Sequence, residues 1–108
     1  MKRKKIDLYP YKRFLYVCKH DTIEDFEKIV FDTYWEEIKW IEAFYKSIEW
    51  EIHLRPNYKI SVLSHEILHM VLRTLESVWI VYSWDSEEAF TYLMEYSMES
   101  ALEEKGYK

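Results

Sequence analysis

His65-Glu66-Ile67-Leu68-His69 constrains this chain more than any other stretch, because it demands a helix and a chemistry together. Residues four apart on an α-helix share a face, with Cβ atoms roughly 5–6 Å apart. Two imidazoles at that spacing reach one zinc ion. Zinc accepts neutral imidazole nitrogen at about 2.0–2.1 Å and keeps an open position for water when a site is catalytic. Glu66 lies beside that face, near enough to take a proton from such a water and too near to ligate the same ion comfortably. The HExxH pattern therefore points to metallopeptidase chemistry, with His65 and His69 as zinc ligands and Glu66 as general base. Two ordinary histidines on a helix are the plain alternative.

The segment around this motif is predicted to be helical from about Tyr58 to Trp79. Leu63, Ile67, Met70, Val71 and Val78 form one apolar side, and Leu68, Leu72, Leu75 and Trp79 another. A helix apolar around most of its circumference packs inside a domain. Its imidazoles are then expected in a wall of the core. Upstream, Ile48, Trp50, Ile52 and Leu54 alternate with Glu49, Glu51, His53 and Arg55, the pattern of a half-buried strand with His53 pointing to solvent. Ile38 to Tyr45 is its expected hairpin partner, joined through Lys46-Ser47, and Pro56-Asn57 stops the sheet.

Phe14 to Cys18 is a short apolar run that reads as a buried strand. Asp21 or Thr22 then caps a helix with Ile23, Phe26, Ile29, Val30 and Thr33 at helical spacing, ending near Tyr34. Residues 1 to 12 read as a tail with a turn at Pro10. After the motif helix, Val81 to Asp85 link to a last helix, about Ser86 to Glu104. Phe90, Leu93, Met94, Met98 and Ala101 face inward there, and Gly106 is expected to end it.

A chain of 108 residues makes one domain with one modest core, helped by five Trp, ten Tyr and five Phe. The net charge of −5 argues against a nucleic-acid binder. Met1 to Lys5 is the one basic cluster and reads as a solvated terminus. No apolar region follows it and no stretch is long enough to span a bilayer, so no membrane partner is expected. Cys18 is the single cysteine. It excludes an internal disulfide, suits a reducing cytoplasm and reads as a small buried hydrophobe.

A catalytic zinc takes three protein ligands. No histidine follows His69, so the third donor is expected to be a carboxylate. Glu76 lies about 10 Å along the helix from His69, too far to share the ion. Asp85, Glu87 and Glu88, at the start of the last helix, are the available donors. On a helical wheel Glu87 lies nearer the apolar stripe, while Glu88 shares a face with Glu95 and Glu99. Asp85-x-x-Glu88 also reads as a capping box. His53 is a weaker site candidate. Tyr82, Tyr92 and Arg73 are possible donors to a developing oxyanion.

His65 to His69, followed about twenty residues later by Glu87-Glu88-Ala89-Phe90-Thr91-Tyr92, resembles the gluzincin branch of zinc peptidases. The order of elements and the size resemble the minigluzincins, and small bacteriophage HExxH proteins have a similar segment. The resemblance implies an α+β, zincin-like single domain, with a small mixed or antiparallel sheet packed on an active-site helix and a C-terminal glutamate helix. It implies Glu88 as the third zinc ligand, with Ala89 and Thr91 as the small and polar residues that follow. It also implies an edge strand that pairs with extended peptide substrate, here the Ile48–Leu54 strand. The expected function is peptide-bond hydrolysis with zinc as cofactor and a peptide or protein as substrate. The rival is a non-catalytic, zinc-stabilised protein-interaction module of phage origin.

Overall fold

Side chains that alternate on two central strands decide how this domain is layered. The computed structural model describes residues 1–36, 41–46 and 48–108. Four strands, β1 (Lys2–Asp7), β2 (Phe14–Lys19), β3 (Ala43–Lys46) and β4 (Glu51–Leu54), form one sheet in the order β1-β2-β4-β3. Three helices complete the α+β fold: α1 (Ile23–Tyr34), α2 (Ile60–Ser77) and α3 (Glu87–Leu102). The sheet is mixed, because β2 runs parallel to β4 while the outer pairs β1–β2 and β3–β4 are antiparallel.

Successive strand residues point to opposite faces. Leu15 and Val17 of β2, Ile52 and Leu54 of β4 and Ala43 of β3 share a cluster with Leu63, Ile67, Met70, Val71 and Leu75 of α2 and with Phe90, Leu93 and Ala101 of α3. That places α2 and α3 on one face. Phe44 points to the other, where it meets Phe26 and Val30 of α1. The α1 cap is as expected: the Thr22 hydroxyl accepts from the Asp25 backbone N–H at 3.1 Å.

Several expectations are corrected. Residues Lys2–Asp7 are not a tail but an edge strand paired along its length with β2. Lys4 lies on its core side, where its ammonium donates to the carbonyls of Ser100 and Glu103 and replaces the hydration it loses. The C-terminal Lys108 exchanges backbone hydrogen bonds with Arg3. β4 is an interior strand flanked by β2 and β3, so the edge nearest α2 is β3. The hairpin forms, but over Ala43–Lys46 and Glu51–Leu54, with Ile48 in the turn and 88 % exposed. The first part of the expected partner strand, residues 38–40, and Ser47 lie outside the described residues.

Helix α2 ends earlier than expected because Trp79 adopts φ 64°, a left-handed conformation usually left to glycine. The Ile80 N–H then closes back onto the Leu75 carbonyl at 2.9 Å. Trp35 plays the same part after α1, at φ 61°. In a chain with one glycine, bulky residues terminate these helices. Gly106 does have positive φ, but it follows the end of α3 by four residues. Among the described residues no helix is long and apolar enough to cross a membrane.

Candidate active site

Only one face of α2 is buried: Leu63, Glu66, Ile67, Met70, Val71, Thr74 and Leu75, at helical spacing. Leu68 and Leu72 stay largely exposed, and so do His65 and His69. The imidazoles are therefore on the solvent side of the helix and not in a core wall. The second apolar side was short of a partner: α3 packs from the same direction as the sheet core, leaving the Leu68–Leu72 flank uncovered.

The two imidazoles nonetheless converge. His69 Nε2 and His65 Nε2 lie 3.1 Å apart, with ring centroids 4.8 Å apart and planes at 80°. Two zinc–nitrogen bonds of about 2.0–2.1 Å at a tetrahedral angle hold their nitrogens roughly 3.3–3.4 Å apart. The pair thus has nearly the bite a zinc ion needs, and two nitrogen donors fit. Without a metal the same distance suits an imidazole N–H···N hydrogen bond.

Glu66, one step of about 100° round the helix from His65, lies where the pair's face meets the domain interior and is 9 % exposed. Burial pushes its carboxyl pKa up, while His65 and His69 pull it down. Such opposition is how carboxylates are tuned toward general-base work. Tyr34, at the end of α1, was not singled out by its sequence position. Its ring lies edge-on to Phe44, and its hydroxyl pKa is raised by burial and by the Glu66 charge.

Two open depressions flank the pair. One, of about 330 Å³, is lined by Ile41, Glu42 and Ala43 at the start of β3 and by Ser61, Val62 and His65 of α2. The other, of about 440 Å³, is lined by His69, Leu72, Arg73, Tyr82 and Phe90 among others. Tyr82 stacks edge-on against Phe90 there, and Arg73 pairs with Glu76 at 3.5 Å. Tyr92 lines a different groove, against Tyr9 and Tyr11.

The expected carboxylate is not brought to the pair. Glu88 is exposed in the first turn of α3, and Glu87 beside it is half-buried. Among the described residues, no third His, Cys, Asp or Glu donor lies within 4.8 Å of both imidazoles. Nor does Asp85-x-x-Glu88 act as a capping box: the cap residue is Ser86, whose hydroxyl instead donates to the Val81 carbonyl at 2.6 Å.

One donor trio does meet that distance, in a different place. Cys18, Glu51 and His53 lie together on β2 and β4. His53, expected to face solvent, is 5 % exposed because α1 covers that face of the sheet. No family model, curated protein or solved structure matches this chain.

Proposed function

We propose that the chain is a zinc-dependent peptidase acting at the solvent face of α2, in a zincin-like arrangement of sheet and helices. The observation that carries this reading is the 3.1 Å approach of the His65 and His69 Nε2 atoms beside a buried glutamate with a raised pKa. His65 and His69 would hold the ion. Glu88 is the carboxylate we assign as third ligand, and the first turn of α3 must shift to bring it over the pair. Zinc, when bound, polarises a carbonyl and lowers the pKa of water toward about 7.

The remaining work falls to the chain's own groups. Glu66 takes the proton of the attacking water and returns it to the departing amine. β3 supplies an edge, free on its outer side among the described residues, along which an extended peptide can add as a further strand. Substrate lying against that edge would run from the depression beside His65 toward the one beside His69. Tyr82 and Arg73, which line the second depression, are the donors we assign to the oxyanion.

A non-catalytic interaction module is the second reading. It is favoured by the apolar connection between α2 and α3, where Trp79 and Trp84 are each 92 % exposed. Metal analysis of purified protein followed by a broad peptide-library cleavage assay separates the two. The peptidase reading expects cleavage that needs zinc and disappears in His65→Ala and His69→Ala. Zinc uptake with no cleavage of any library member would contradict it.

A further inference from the structure

The face of the sheet beneath α1 holds a chain of polar groups that the peptidase reading leaves unused. Cys18 and His53 are direct neighbours across the parallel β2–β4 pair, and Glu51 precedes His53 by two residues on the same face. Period-two alternation therefore aims a thiol, an imidazole and a carboxylate into one space, with their donor atoms all within 4.8 Å of one another. Cys18 and His53 are buried and Glu51 is half-buried, with 18 % of its side chain exposed. We propose that Cys18, Glu51 and His53 form a second metal site, on the opposite side of the sheet from the His65–His69 pair, for a thiophilic divalent cation of the zinc type.

The donor set is one of soft sulfur, imidazole and carboxylate, which suits zinc and disfavours magnesium or calcium. The groups around it are arranged as outer partners of such a site. His53 Nδ1 lies 2.8 Å from His20 Nε2, and His53 Nε2 lies 3.2 Å from Glu51 Oε1. Arg3 donates to the other carboxylate oxygen, Oε2, at 2.9 Å, which leaves Oε1 to face the imidazole. Metal-ligating histidines characteristically use their second nitrogen in such a hydrogen bond, which fixes the tautomer.

His20 extends this chain of polar groups behind His53. It is 6 % exposed, and its Nδ1 is buried with no hydrogen-bond partner. In the metal-free chain, His20 Nε2–H donates to His53 Nδ1 and His53 Nε2–H donates to Glu51. A cation between His53 Nε2 and Glu51 Oε1 takes the place of that last proton. Each ring then shifts tautomer: His53 holds its proton on Nδ1 and donates to His20 Nε2, and His20 holds its proton on the unpartnered Nδ1. The two rings stay neutral throughout. The proton released to solvent is the thiol proton of Cys18, which leaves as sulfur bonds to the metal. Without a metal, burial and the Glu51 charge hold that thiol's pKa up at about 11, so Cys18 is not a free nucleophile.

The test uses the full chain, reduced and stripped of metal by chelation, titrated with cobalt(II). Cys18 is the single cysteine, so a sulfur-to-cobalt charge-transfer band in the near ultraviolet reports this site and no other. The expected result is a band that saturates by two equivalents in the wild type and at one in His65→Ala/His69→Ala, is abolished by zinc and is lost in Cys18→Ala. His20→Phe, outside the donor set, should weaken cobalt binding about 10- to 100-fold. Wild-type protein with excess cobalt and no charge-transfer band would overturn the proposal, even where Cys18→Ala fails to fold. A band lost on mutating His65 and His69 would overturn it as well.

Discussion

His65 and Glu66 are sequence neighbours that face opposite environments: the imidazole is in solvent beside His69, and the carboxylate is 9 % exposed inside the domain. The 100° step between adjacent helical residues produces this split. On the peptidase reading it separates metal holding from proton transfer, so the two proposed roles can be removed one at a time.

Because His69 is exposed, its loss should affect metal and not fold. His69→Ala is expected to abolish zinc uptake at the pair while changing stability by no more than about 0.5 kcal/mol, as for surface substitutions generally. Calorimetric zinc titration in a Cys18→Ala background, together with urea unfolding, checks both halves.

Glu88 lies out of reach of the pair, yet it is the carboxylate assigned to complete it. Glu88→Ala should weaken zinc retention at the pair far more than Glu95→Ala or Glu99→Ala, read by competition with a chromophoric chelator. Equal, small effects for all of them would leave a two-histidine site, and a larger effect for Glu87→Ala would move the assignment to that residue.

How far these features were legible depends on what each residue's position could reveal. The motif helix, the α1 cap at Thr22 and the later part of the expected Ile48–Leu54 strand, Glu51–Leu54, follow from period and capping chemistry and are present. β1 was not legible: Met1 to Lys5 reads as a solvated basic run, and pairing with β2 and the C-terminal Lys108 is a long-range property. The end of α1 near Tyr34 is as expected, whereas the end of α2 depends on Trp79 in a left-handed conformation, which no propensity suggests. The metal-capable trio was hidden for a related reason. His53 looks outward by alternation, but α1 returns over that face and buries it, and the parallel β2–β4 register that joins it to Cys18 is nowhere visible locally.

The buried His20–His53 pair makes stability depend on pH. Burial, and secondarily His53, hold His20 down to about 4, and burial lowers His53 against the opposing pull of Glu51. Both rings are therefore neutral in the fold and bind protons more readily when unfolded, near pH 6.5. The contribution is complete above about pH 6.5 and is lost as pH falls toward about 4. At about 1.4 kcal/mol per unit it is on the order of 3 kcal/mol for His20. Urea midpoints should drop between pH 7 and pH 5 in the wild type and much less in His20→Phe. Parallel profiles for the two proteins would contradict the assignment.

The peptidase reading stands or falls on Glu66. Glu66→Gln keeps the shape of the side chain and leaves His65 and His69 untouched. It also removes a buried charge whose pKa is raised, so zinc binding and melting temperature should not fall. Turnover of any peptide the wild type cuts, measured at matched zinc occupancy, should fall by about 100-fold or more, the scale of a lost general base. Cleavage by Glu66→Gln at the wild-type rate would contradict the account.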